Sequence, residues 1–208
     1  MPTQSASLYE QLFALTTVMK QRVVDNFSGD ALNERWTTWD ESGTGTFAMV
    51  DAADEGFSIT TSSGGRSGIG FNNKRQYSNS GSVCIIVVKS ISASSCRVFS
   101  GFRNTQSTNG IADWAAVDYN TGNTNFALIV GDASTGSSTE GSTAIDQSWH
   151  QFKVETGASN VTLTTEGTLE VTDTTNLPSA RLQPICASRD DATGGKEARI
   201  RYLEAYNT

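Results

Sequence analysis

Histidine, cysteine, proline and basic residues are all scarce in this chain of 208 residues, which holds 1 His, 3 Cys, 3 Pro and 15 Lys plus Arg. A single histidine, His150, excludes a histidine-rich zinc site. A Ser-His-Asp relay would have to use it without the Gly-x-Ser-x-Gly elbow that presents the serine. It shares strand parity with Phe152 and Val154 and reads as a structural histidine. Cys84, Cys96 and Cys186 form no Cys-x-x-Cys pair, and their odd number leaves at least one thiol unpaired within the chain. They read as small buried hydrophobes. The formal charge of −7, with the basic residues scattered, excludes nucleic acid as the expected partner. Long apolar runs are missing too. The longest, Val83 to Val88, stops at Lys89, whereas a membrane-spanning helix needs about 20 apolar residues. The N-terminal residues show no basic segment followed by an apolar stretch, so neither a span nor a signal peptide is expected.

What the chain does have is Ser and Thr, 51 residues together, and 19 Gly, a composition suited to strands joined by tight turns. The apolar fraction of 37 % is gathered into short runs, which argues for a folded core rather than disorder. From Val23 onward these runs are separated by Gly, Asn, Asp and Ser clusters, giving about fourteen strands. That number requires two sheets. The expectation is an all-β, antiparallel jelly-roll sandwich over residues 23–208. Phe152 and Val154 alternate with Gln151 and Lys153, and Ile200 and Tyr202 with Arg199 and Arg201, so these strands have one wet face. Val83 to Val88 is apolar throughout and reads as a central strand. Ser62-Ser63-Gly64-Gly65, Thr135-Gly136-Ser137-Ser138 and Ala192-Thr193-Gly194-Gly195 read as loop tips.

Residues 1–22 follow another pattern. Ser7-Leu8-Tyr9-Glu10 has capping-box spacing, and Leu8, Leu12, Leu15 and Met19 then recur on one helical stripe with Phe13 beside it. A short N-terminal helical arm is expected. Its stripe either folds back on the sandwich or attaches the chain to another protein or to copies of itself.

Three local patterns carry a family resemblance. Asp25-Asn26-Phe27 with Asn33-Glu34-Arg35-Trp36 is similar to the opening strand and Asn-x-x-Trp turn of concanavalin A-like lectin/glucanase domains, in particular their laminin-G-like members. Trp149-His150-Gln151-Phe152, with Gly167 after it, resembles the Trp-His-x-Phe strand and hairpin glycine, and Arg199 to Tyr206 resembles a closing strand that lies beside the first. The likeness spans residues 25–208 and implies the fold, since these motifs have packing roles. Glucanases of this superfamily carry Glu-x-Asp-x-x-Glu on one strand, which sets acid and nucleophile on the concave face. The string is absent here. A looser resemblance, in the Gly-Thr-Gly-Thr run and the strand-rich start behind a short segment, is to minor structural proteins of tailed-phage particles.

Side-chain chemistry offers few alternatives. Glu166 and Glu170 lie four strand positions apart, about 13 Å, too far for the ~5 to ~9.5 Å of glycoside hydrolysis; solvated faces account for them. Asp51, Asp54 and Glu55 read as a turn, as does Asp118 to Asn123, whose alternating oxygens faintly echo a calcium loop without its final Glu. Asp190-Asp191 is similar. No cofactor or metal is expected. A sugar site needs an aromatic platform with amides and carboxylates beside it. Trp39, Trp114 and Tyr119, with Asp113 and Asn120 adjacent, are the candidates, although core packing accounts for the tryptophans equally well.

Two functions follow as expectations. The first, implied by the arm and the phage resemblance, is a non-enzymatic virion structural protein, a capsid decoration or tail-associated component on the particle surface. Leu8, Leu12, Phe13, Leu15 and Met19 would anchor it to other virion proteins or to its own copies, as trimers on a symmetry axis. The second is an extracellular lectin-like module binding surface glycans.

Overall fold

Alternating apolar residues and turn-forming residues sort the chain into fifteen strands, described here from a computed structural model over residues 22–50, 56–108, 112–192 and 194–208. In chain order they are β1 (Arg22–Asp25), β2 (Thr37–Ser42), β3 (Thr46–Val50), β4 (Gly56–Thr61), β5 (Arg66–Gly70), β6 (Ser82–Ser90), β7 (Cys96–Arg103) and β8 (Asp113–Asn120). There follow β9 (Asn125–Asp132), β10 (Gly136–Ala144), β11 (His150–Thr156), β12 (Val161–Thr165), β13 (Thr168–Asp173), β14 (Gln183–Asp190) and β15 (Lys196–Asn207). One sheet has the order β13-β12-β11-β6-β15-β4-β3, with β1 also pairing β15; the other has seven strands in the order β10-β9-β8-β7-β14-β5-β2. All pairings are antiparallel. This is the two-sheet sandwich that the composition and turn spacing lead one to expect. No helix occurs among the described residues, and the expected helical arm with its stripe from Leu8 to Met19 lies outside them.

The core fills the space between the sheets. Phe126 of β9 meets Tyr119 of β8 edge-on at 4.9 Å, and across the gap it meets Phe152 at 4.8 Å and His150 at 4.7 Å on β11. Each such fully buried aromatic contributes roughly 2–3 kcal/mol of apolar burial. His150 is buried with its Nε2 2.8 Å from Asp146, a structural position on the parity of Phe152 and Val154. β6 lies in the interior of its sheet, between β11 and β15, with Cys84, Ile86 and Val88 wholly inaccessible.

The opening and closing motifs act together. β1 pairs with β15, Val23 opposite Ala205. Trp36 Nε1 donates to Asp25 Oδ2 at 2.8 Å, while Asp25 Oδ1 accepts from the Phe27 amide, holding Phe27 in the left-handed region at φ 45°. Phe27 then packs on Trp36 with ring centroids 5.7 Å apart.

One strand departs from expectation. β10 begins at Gly136, inside the stretch Thr135 to Ser138 that reads as a loop tip, and it carries hardly any apolar side chain. Hydroxyls hold it instead of burial. Ser142 and Thr143 each donate through amide and hydroxyl to the Glu170 carboxylate of β13, and Ser137 donates to Asp173. These bonds join the edges of the two sheets, so Glu170 is a clamp rather than the solvated residue its spacing suggests.

Candidate functional site

Strand parity decides which side chains stand on the outer face of the seven-stranded sheet. On β8, Asp113, Ala115, Val117 and Tyr119 turn inward, and Trp114, Ala116, Asp118 and Asn120 turn outward. On β7 the outward set is Arg97, Phe99, Gly101 and Arg103, because Phe99 lies opposite Asp118 and Arg103 opposite Trp114. Trp39 of β2 faces the same way, opposite Gly68, whose register partner on β14 is Ala187 and, one strand on, Phe99. Trp39 and Trp114 are therefore on one face, about 19 Å apart across four strand spacings and about 13 Å along β8, since Trp39 is level with Asp118, which makes roughly 23 Å at the backbone.

Each indole rests against glycine. A β-carbon on Gly68 would come within 2.6 Å of Trp39 Cζ2, and one on Gly131 would overlap Trp114 Nε1. Trp114 stacks on Phe99 with centroids 6.3 Å apart and planes 19° from parallel. Arg97 lies 4.8 Å over Phe99 and Arg103 4.7 Å over Trp114, so guanidinium, phenyl, indole and guanidinium form one continuous ladder. Burial within it pulls the Arg103 pKa down to about 10.

Polar groups border the aromatic surface. Asp118 receives Arg97 bidentately, Nε to Oδ1 at 3.2 Å and Nη2 to Oδ2 at 2.5 Å. Burial drives its carboxyl upward against the pull of Arg97. Beside Trp39, Glu41 accepts from the Ser107 hydroxyl and from the Thr108 amide and hydroxyl at 2.8 and 2.9 Å. Burial works upward on Glu41 too, but these donors outweigh it and hold the carboxyl below its ordinary value. The same bonds fasten the loop after β7 along the face, where Gln106 covers Gly70. Trp39 Nε1 and Gln106 Nε2 are both enclosed and have no hydrogen-bond partner among the described residues.

Of the five residues expected at a sugar site, Trp39, Trp114 and Asn120 share this face. Tyr119 and Asp113 do not. Tyr119 is wholly buried against Phe126, and Asp113 accepts from the amide and hydroxyl of Ser179, the Ala180 amide and Asn104 Nδ2, bracing a loop. Neighbours in sequence point to opposite faces of a sheet, so Asp113, next to Trp114, turns inward, as does Tyr119, an odd five residues along β8 from Trp114. Arg97, Phe99 and Gln106 are not among the expected residues, and Asp118 is expected only in a turn. Arg97 and Phe99 are legible in the alternation through Cys96-Arg97-Val98-Phe99, but Gln106 sits in a loop without period. Asn120 itself accepts from the Gly122 amide within a turn, and among the described residues no group of metal-binding side chains occurs.

No family model matches the chain, and no curated protein matches it. Solved structures do. A protein of unknown function from Shewanella oneidensis MR-1 is 14 % identical with a TM-score of 0.68, over 100 % of this chain and 95 % of that one. The Bacillus licheniformis β-glucanase is 13 % identical with a TM-score of 0.64, covering 90 % and 98 %. The carbohydrate recognition domain of Emp47p is 10 % identical with a TM-score of 0.60, covering 89 % and 94 %. The fold is thus a two-sheet jelly roll like those of these β-glucanases and lectin-like domains.

These likenesses correct the expectation of a non-enzymatic protein. A mouse-hindgut lichenase and a Mycobacterium marinum β-1,3-glucanase match as well, so glucanases share this frame even where identity is 11 % or 13 %. A seven-stranded face gathers side chains from many strands, and the missing Glu-x-Asp-x-x-Glu string does not exclude hydrolysis. At such identities the likeness shows the fold alone and assigns no activity.

Proposed function

We propose that this protein is a lectin-like carbohydrate-binding module whose ligand lies across the outer face of the seven-stranded sheet. The observation that carries the reading is the placement of Trp39 and Trp114 on that face, each seated on glycine, with Phe99 between them. A pyranose presents an apolar face that stacks on an aromatic ring and a rim of hydroxyls that seek amides and carboxylates. Trp39 Nε1 and Gln106 Nε2, enclosed and without a partner among the described residues, would become donors for that rim where a ligand displaces the groups that cover them. The separation of the two tryptophans, roughly 23 Å at the backbone, suits an oligosaccharide rather than one sugar. That the matching structures include a carbohydrate recognition domain and several glucanases agrees with this reading.

A glycan array followed by calorimetric titration tests it. We expect saturable binding that weakens about tenfold or more in Trp39→Ala and in Trp114→Ala, in line with the 1–3 kcal/mol of a stacked aromatic. An array with no positive glycan overturns the reading. Release of reducing ends from the bound glycan would place hydrolysis on the same face.

A further inference from the structure

Three arginines stand in one transverse row of the candidate face. Arg66 of β5 is the register partner of Arg189 on β14, and Arg189 is the partner of Arg97 on β7. Adjacent strands lie about 4.8 Å apart, so three like charges occupy a strip about 10 Å long. Like charges directly opposite one another destabilise a sheet. In a chain of net charge −7, with 22 acidic residues against 15 basic, such a row runs against the overall balance.

The row meets three carboxylates, Asp118, Asp191 and Glu41, which match its charge, but they use its hydrogen-bonding capacity only in part. Arg97 is fully engaged by Asp118. Arg189 uses Nε toward Asp191 at 2.5 Å, and Asp191 is shared with Arg97 at 3.9 Å. Arg66 has Glu41 at 3.8 Å, a contact too long for a strong bond, and that carboxylate is already taken by Ser107 and Thr108. A guanidinium carries five N–H donors. Among the described residues, no hydrogen bond engages the terminal nitrogens of Arg189. The side chains of Arg66 and Arg189 are 20 % and 26 % exposed, enough to be reached from solvent.

Position ties this row to the aromatic surface. Arg66 and Gly68 are two residues apart on β5, as are Arg189 and Ala187 on β14, so the arginines stand one side-chain row, about 6.6 Å, from the row that Trp39 and Phe99 share. A sugar ring stacked on Trp39 would carry an acidic substituent toward Arg66 and Arg189. Planar forked donors match carboxylate and sulfate oxygens bidentately. We propose, resting on the carbohydrate-binding reading above, that this module selects anionic glycans, with Arg66 and Arg189 receiving the carboxylate or sulfate of the sugar.

The test titrates the full chain with an oligogalacturonate, its methyl ester, a sulfated oligosaccharide of similar length and a neutral β-glucan oligosaccharide. We expect the acid or the sulfated ligand to bind about tenfold tighter than the neutral ligands at low salt, with the preference shrinking as ionic strength rises. The stronger of the two identifies the anion. Arg189→Ala and Arg66→Ala should each bring the acid-to-ester affinity ratio toward one. Arg189→Lys, which keeps the charge and loses the fork, should give an intermediate ratio, and thermal unfolding confirms that each variant is folded. Equal binding of acid and ester, or tighter binding of the neutral glucan, overturns the anionic selection and leaves the module reading standing. Absence of binding in every arm overturns the module reading itself.

Discussion

Arg103 and Trp114 stand directly opposite each other on β7 and β8, with the guanidinium 4.7 Å over the indole and Arg103 only 1 % exposed. The indole covers a buried cation, and with Phe99 stacked on it as well, only its outer edge is left for the proposed ligand. Trp114→Ala should therefore lower stability by about 1–3 kcal/mol as well as weaken glycan binding. Trp114→Phe should recover most of the stability. Urea unfolding beside the calorimetric titration separates the two effects.

Gly131 leaves the space in which the Trp114 indole lies, and its own Cβ would also meet the Ala112 carbonyl at 3.0 Å. Gly131→Ala must displace the ring, at a cost of about 1–3 kcal/mol for an overpacked site. The expected outcome is a shifted tryptophan emission maximum together with reduced glycan affinity. An unchanged spectrum and affinity would show that the ring has another resting place.

Glu170 is buried enough for desolvation to raise its pKa, yet the hydroxyls and amides of Ser142 and Thr143 outweigh that and bring it to about 2 from an ordinary 4.5. A carboxyl depressed in the folded state adds stability that is complete above pH ~4.5 and is lost as pH falls toward 2. Solvent screening limits its size to about 1–2 kcal/mol. Glu170→Gln should be less stable at neutral pH, and its unfolding free energy should fall less steeply than wild type between pH 5 and 2. Parallel curves for the two proteins would dismiss the clamp.

Burial raises the thiol pKa of all three cysteines, Cys186 to about 12 even though Ser100 donates to its sulfur at 3.0 Å. Thiolate is the reactive form. The native protein at pH 8 should be inert to a thiol-specific chromogen, with all three cysteines reacting once it is unfolded. Rapid labelling of the native protein would show an opening that exposes the core.

Much of the frame was legible before any coordinates. β6 and β11 contain the Val83 to Val88 run and the Phe152, Val154 alternation, and β15 the alternation of Ile200 and Tyr202, because each joins an apolar pattern to flanking turn residues. β10 was not legible, since Ser, Thr and Gly carry no burial signal and its hold on β13 runs through Glu170, 27 residues beyond Thr143. The site was half legible. Trp39 and Trp114 attract attention as aromatic residues, but placing Tyr119 and Asp113 with them took nearness along the chain for nearness on a face.

The sequence by itself determined that this chain folds as a two-sheet β-sandwich, with Phe27, Trp36 and the β15 run closing it, because local alternation and turn chemistry are written residue by residue. Only the tertiary structure decided that Trp39, Phe99, Trp114 and the row of Arg66, Arg189 and Arg97 meet on one surface. Strands β2, β5, β14 and β7 are neighbours in space and distant in sequence, with β8 following β7 as its antiparallel partner, and their side chains come together through hydrogen-bond register, which no local pattern encodes.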